Sequence, residues 1–101
     1  MWMLVMFDLP VVLKEERKAA TASRYALLDL GFEMAQFSVY IRFCTSQSET
    51  ETYTGKIEAS LPRGGRVHIL TVTDKQYERI RTYTGRSRQA PKKAPEQLAL
   101  F

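Results

Sequence analysis

The chain has one cysteine, one histidine and one tryptophan among its 101 residues. With Cys44 alone it forms no internal disulfide, so a reducing compartment, the cytoplasm, is the expected setting. No apolar run approaches the ~20 residues that a membrane span requires, and no membrane role is expected. The first nine residues are apolar, but they lack a basic leader and a small-residue cleavage site and run into Asp8 and Pro10. A signal peptide is therefore not expected. There is no Walker loop, no glycine fingerprint for a dinucleotide and no zinc-ligand spacing. These absences exclude the commonest nucleotide, redox and zinc chemistries. There are no internal repeats.

What is present is a 45% apolar composition, enough for one folded domain with a single core. The net charge of +4 is unevenly placed. Residues 1–60 carry six Lys or Arg against eight Asp or Glu, a balance of −2, whereas residues 61–101 carry nine against three, a balance of +6. A basic half of this kind suits a polyanionic partner, or simply keeps the protein soluble.

Trp2 to Leu9 (WMLVMFDL) is continuously apolar and bounded by Pro10, which predicts a central strand ending near Asp8. Lys14 to Leu30 has helix-favouring composition, and Gly31 stands where a C-terminal cap belongs. On a helical wheel Ala19, Ala22, Ala26, Leu27 and Leu30 form the apolar side, with Lys14, Arg17, Thr21 and Arg24 opposite. Phe32 to Phe43 alternates, with Phe37, Val39, Ile41 and Phe43 on one face. Twelve residues is long for one strand, so a break is expected somewhere within it. Ser48 and Glu51 match a capping box for a second helix to Leu61. Arg66 to Thr73 is β-branched and predicts another central strand. A short turn at Lys75 to Glu78 follows, capped by Thr73 or Asp74, and then a short edge strand at Ile80 to Thr84. The domain is thus expected to span residues 1–85, with a flexible basic linker and an apolar tip over residues 86–101. The order predicts an α+β fold, the ferredoxin-like β-α-β-β-α-β arrangement, with a short extra C-terminal strand. Such a sheet leaves one face open for a partner, a nucleic acid or a second subunit, and in so small a core dimerisation would help to bury it.

Asp8, at the end of a buried strand, admits two readings. It can hold magnesium, which takes oxygen ligands, or it can cap the turn through Leu9 and Pro10. A single carboxylate is a poor metal site, but two copies meeting across a two-fold axis would supply a pair. His68 is either a general base or a structural residue. Basic residues suited to phosphate contacts are Lys14, Arg17 and Arg24 on the first helix, Arg63 and Arg66 beside a glycine turn, and Arg79, Arg81, Arg86 and Arg88 further on. The aromatic platform of an RNA-recognition motif is missing from Arg66–Leu70, which disfavours that branch of the fold.

Three segments, MWMLVMFDLP, GFEMAQFSVYIRFC and RVHILTVTDKQYERI, resemble the CRISPR-associated protein 2 family, in the form found in type II systems. The similarity covers about residues 1–85, and the terminal LALF also resembles that form. The resemblance implies a symmetric homodimer that bridges dimers of the CRISPR integrase, CRISPR-associated protein 1, and holds duplex DNA during spacer acquisition in antiviral defence. It implies that Asp8 is the family's strand-end aspartate, the magnesium site at the dimer interface and the catalytic residue of those members described as metal-dependent nucleases. A contact between the tail residues Leu98, Leu100 and Phe101 and the integrase or the partner subunit is also expected. The first reading is therefore a DNA-binding scaffold. The alternative is a magnesium-dependent endonuclease acting on single-stranded RNA or double-stranded DNA.

Overall fold

Pro10 has no amide hydrogen to give to a ladder, and the first strand ends before it: β1 is Trp2–Asp8. The computed structural model describes residues 1–85 and 87–89, the last three by backbone alone. After β1 come α1 (Lys14–Asp29), β2 (Glu33–Gln36), β3 (Val39–Phe43), α2 (Gln47–Ala59), β4 (Arg66–Val72), α3 (Asp74–Glu78), β5 (Thr82–Thr84) and β6 (Ser87–Gln89). The four long-range strands form one antiparallel sheet in the order β2-β3-β1-β4. With α1 and α2 this is the expected α+β, ferredoxin-like arrangement. No helix among the described residues is long and apolar enough to cross a membrane.

α1 stops where a glycine permits it. Gly31 has φ 88°, a conformation that costs residues with a Cβ. The Gly31 amide donates to the Leu28 carbonyl, and the Phe32 amide to the Leu27 carbonyl, both at 3.0 Å. This pair of bonds is a Schellman motif, and its hydrophobic contact is between Leu27 and Phe32, both buried in the main core. The face of α1 that turns inward is Glu16, Ala20, Ser23, Ala26, Leu27 and Leu30, while Ala19 and Ala22 are exposed. Ala26, Leu27 and Leu30 thus face inward as expected, and Ala19 and Ala22 do not, because alanine marks neither face strongly. Tyr25 and Leu28 also lie on the exposed side.

The long alternating segment folds back on itself. Its break is a turn at Phe37 and Ser38, leaving β2 and β3 as a hairpin with a bulge between Met34 and Gln36. Ser38 takes φ 65°, and Phe37 is 90% exposed at the tip rather than on the face of Ile41. α2 starts two residues before the expected cap: Ser46 accepts from the Glu49 amide at 3.2 Å. Ser48 and Glu51 have the same spacing but lie inside the helix. The Thr73 hydroxyl caps α3 by accepting from the Gln76 amide.

β1 is central, but β4 is an edge strand, not the second central one expected. Its apolar character on both faces has a different cause. Val67 and Ile69 pack under the helices with Met3, Val5, Tyr40, Cys44 and Ile57. Arg66, His68 and Leu70 lie on the opposite, open face and are exposed. Among the described residues only one end of that face is covered. There Tyr77 of α3 stacks on Trp2 at 4.1 Å between ring centroids, and Phe43 meets Trp2 edge-on. β5 pairs with β6 in a separate hairpin. The linker expected from Arg86 onwards therefore contains a strand at Ser87–Gln89, and the short strand expected at Ile80 to Thr84 is Thr82–Thr84.

Arg42 ties the layers together. It projects from β3 on the helix side, where its Nε donates to the Leu30 carbonyl at 2.9 Å, closing the end of α1. Nη1 donates to the Phe43 carbonyl and to Glu49 of α2, and Nη2 to the Tyr53 hydroxyl at 2.7 Å. Gly31 makes room for it, since a Cβ there would sit 3.2 Å from Arg42 Nε. Glu49 is held below the usual carboxylate range, chiefly because the Thr45 hydroxyl donates to it. Burial opposes this, and the Thr45 amide and Arg42 add to it. Cys44 is fully buried alongside, and that burial pushes its thiol up.

Arg42→Met is expected to lower stability by about 2–4 kcal/mol in urea unfolding, because charge-assisted bonds to both helices are lost together. A carboxylate whose folded pKa is depressed contributes fully above its unfolded value and loses that contribution as pH falls through the folded value. Urea midpoints measured below about pH 4.5, the ordinary glutamate value, should therefore decline. Part of that decline should be missing in Glu49→Gln. Gly65 yields a second expectation. It has φ 84°, and a Cβ there would lie 2.5 Å from the Asp8 carbonyl oxygen and 2.9 Å from Leu9 Cα. Gly65→Ala should cost about 2–3 kcal/mol by the same measurement, since both the strain and the clash involve backbone.

Candidate functional site

Cross-strand register decides which side chains share the open face. Residues directly opposite in an antiparallel pair point to the same side. β1 aligns Leu4 with Ile41 and Leu70, Met6 with Val39 and His68, and Asp8 with Arg66. The open face therefore runs from the aromatic cluster at Trp2, through the apolar middle of Leu4, Met6 and Leu70, to a polar end formed by Asp8, His68 and Arg66. Leu4 and Met6 are half-buried, whereas Leu70 and the polar end are exposed.

Asp8 is held by its main chain. Its Cα pairs with Arg66, and the Asp8–Leu9 backbone packs directly against Gly65. The side chain makes no hydrogen bond or ion pair among the described residues, so it does not cap the turn through Leu9 and Pro10. Arg66 is its cross-strand neighbour without closing a salt bridge. Among the described residues no three His, Cys, Asp or Glu gather as a metal cluster. His68, whose role the sequence leaves open, is exposed and one diagonal step from Asp8. The signal that it joins this end of the sheet is its parity with Arg66 and Leu70, visible only once the register is known.

The basic residues fall into separate groups. Arg63 lies in the turn before β4, and together with Arg66 it flanks the Asp8 end. Arg79 and Arg81 are exposed after α3, at the far end of β4. Lys14, Arg17 and Arg24 lie on the exposed side of α1. Arg17 Nη1 donates to the Val12 carbonyl at 2.7 Å and more weakly to the Val11 carbonyl, which fixes the loop after β1. Arg17 and Arg24 also line a groove between α1 and the β2–β3 hairpin. Arg86 and the tail residues Leu98, Leu100 and Phe101 lie outside the described residues, as does the side chain of Arg88.

Residues 1–80 match the family described as CRISPR associated protein Cas2. A protein of Paracidovorax avenae named CRISPR-associated endoribonuclease Cas2 is 62% identical over the whole chain, which covers 94% of that protein. Proteins of the same name from Flavobacterium psychrophilum and Parvibaculum lavamentivorans are each 44% identical over the whole chain, with 88% and 100% of their own lengths covered. A family match over most of the chain and relatives this similar show that the chain belongs to the CRISPR-associated protein Cas2 family.

Proposed function

We propose that the chain is an endoribonuclease of CRISPR defence, working as a symmetric homodimer whose open sheet faces meet. The observation that carries this is Asp8: an exposed carboxylate at the end of the central strand, on the uncovered face, with no partner among the described residues. The endoribonuclease name of its relatives agrees with it. One Asp8 is a poor metal site. Two, contributed by two copies, fit magnesium, which is commonly held by one or two carboxylates and several waters. Bound there, the ion would supply a polarised phosphate or an activated water. The chain's own residues hold Asp8 in place through the Gly65 contact and set Arg66 beside it for a phosphate. Single-stranded RNA is the substrate expected first, and double-stranded DNA second.

A second reading rests on the +6 balance of residues 61–101 and the exposure of Arg63, Arg66, Arg79 and Arg81. Here the homodimer is a scaffold. It binds duplex DNA through phosphate contacts and bridges dimers of the integrase, CRISPR-associated protein 1, for spacer acquisition. Leu98, Leu100 and Phe101 would add a strand or an apolar anchor to that partner. The two readings are compatible in one protein, and they separate by mutation.

Cleavage of labelled single-stranded RNA should require added magnesium and fall at least about 100-fold in Asp8→Asn, which keeps the shape and removes the charge. An Asp8→Asn protein that cleaves at the wild-type rate removes Asp8 from the chemistry, and a wild-type protein that cleaves no RNA with magnesium removes the nuclease assignment. The scaffold reading predicts co-purification with the integrase and a duplex-DNA affinity that falls steeply across a salt series. It also predicts that Asp8→Ala still supports spacer acquisition. Failure of the two proteins to associate would end that reading.

A further inference from the structure

A groove of about 330 Å³ runs between α1 and the β2–β3 hairpin, away from the open sheet face and from Asp8. Its walls are apolar: Phe7, Leu9 and Tyr40 form the floor, and Met34 and Phe37 the hairpin side. Two guanidinium groups, Arg17 and Arg24, stand on the α1 side. Among the described residues no carboxylate lines it. Arg17 donates only to backbone carbonyls, and Arg24 has no hydrogen bond or ion pair among the described residues. Two positive charges thus face an apolar cleft uncompensated.

The rim is exposed apolar surface. Phe37 is 90% exposed, Met34 51% and Val11 55%. Phe37 is presented by a turn whose next residue, Ser38, adopts φ 65°, a conformation that a side-chain-bearing residue avoids unless held there. β2, which forms the outer wall, is an edge strand. One row of its backbone groups faces away from β3, as at any sheet edge. Cross-strand pairing with Tyr40 sets Met34 on the groove side, while Glu33, opposite Ile41, lies on the other side of the sheet.

We infer that this groove is a docking site for an extended, acidic and apolar segment of a partner protein, added as a strand along β2. Main-chain bonds to β2 give such a segment its register. Alternate side chains then enter the groove, apolar ones against Met34 and Phe37 and a carboxylate between Arg17 and Arg24. The charge complementarity selects an acidic segment, and the strand edge selects an extended polypeptide. A nucleic acid is a poorer fit. Phosphates favour solvated basic surface, and stacking needs successive exposed rings, whereas Tyr40 is only 2% exposed and Phe37 stands alone. The inference rests on neither the nuclease nor the scaffold reading, since it uses neither Asp8 nor the basic half.

The test is selection of displayed random 10-residue segments on the full chain, counter-selected on a variant carrying Phe37→Ser and Arg24→Glu. Enriched segments should alternate apolar and polar positions and carry at least one Asp or Glu. Labelled copies should bind about tenfold more weakly to Arg24→Glu and to Phe37→Ser, a loss of about 1.4 kcal/mol each. Both side chains are exposed, so the urea midpoints of the variants should match wild type. As a readout that needs no variant, the segments should shift wild-type amide resonances at residues 33–38 and 20–24. No enrichment, enrichment without acidic bias, or resonance shifts elsewhere overturns the proposal. So does a short oligouridylate whose binding is the one lost in Phe37→Ser, which gives the groove to RNA. A dimer that Phe37→Ser turns into a monomer gives it to a second copy, and overturns the proposal equally.

Discussion

Arg42 is the side chain on which the two helices and the sheet agree. A guanidinium is planar and presents donors in several directions, so one residue can satisfy acceptors on three elements at once. From β3 it reaches the last carbonyl of α1, the Glu49 carboxylate near the start of α2 and the Tyr53 hydroxyl one turn further on. Its guanidinium carbon also lies 4.0 Å from the Tyr53 ring centroid. Each contact constrains a different degree of freedom. The Leu30 bond fixes where α1 ends, the Glu49 bond fixes the rotation of α2, and the Tyr53 contact fixes its distance from the sheet. A lysine has one ammonium and cannot make this set. The pair is partly exposed, with side-chain accessibilities of 22% and 29%, so solvent screens it. Its contribution comes from geometry and hydrogen bonding more than from Coulomb attraction.

Tying both helices to one side of the sheet has a consequence for the other. The helix side is closed around Met3, Val5 and Cys44, all fully buried. Among the described residues the second side has only α3 to cover it, and α3 is five residues long. Trp2, Ile41 and Tyr77 use that cover up at one end. The remainder grades from apolar to charged along β1 within a few residues. An apolar middle favours contact with another surface. The other end carries a carboxylate without a hydrogen bond or ion pair among the described residues, an imidazole and two arginines, all exposed. The candidate chemistry is therefore placed where burial stops, and Gly65 lets the β4 turn approach close enough to hold Asp8 there.

Much of this was legible in the residues, for physical reasons that can be named. Pro10 fixes the end of β1, and Gly31 fixes the end of α1, because each residue forbids or uniquely permits a backbone conformation. The strand–helix order follows from alternation and composition. Other features carried no such mark. The hairpin at Phe37 and Ser38 contains neither glycine nor asparagine, so the turn has no residue signature, and tertiary contacts impose it: the Phe7 amide donates to the Ser38 carbonyl at 2.8 Å. The α2 cap was displaced because Ser46 with Glu49 and Ser48 with Glu51 satisfy the same rule. Arg42 removes the ambiguity by engaging Glu49. β4 looked central because an edge strand with one face under helices and one face on an open apolar surface has the composition of a buried strand. Asp8 was legible as a candidate from its position. His68 beside it was not, since register is not written in either strand alone.

The basic residues pose a different geometrical question. Arg63 and Arg66 stand at the start of β4, and Arg79 and Arg81 follow its far end. At about 3.3 Å per residue the seven residues of β4 separate these groups by roughly 20 Å. Two arginine pairs that far apart do not converge on one small anion. On the scaffold reading proposed above, they would meet a polymer that repeats its charge along its length. Arg66 pairs with Asp8 at one end of β4, whereas Arg79 and Arg81 follow its other end, beyond α3. Of these four arginines only Arg66 belongs to β4, and all four are exposed, so the two groups are set apart by the strand and α3 that lie between them in the chain.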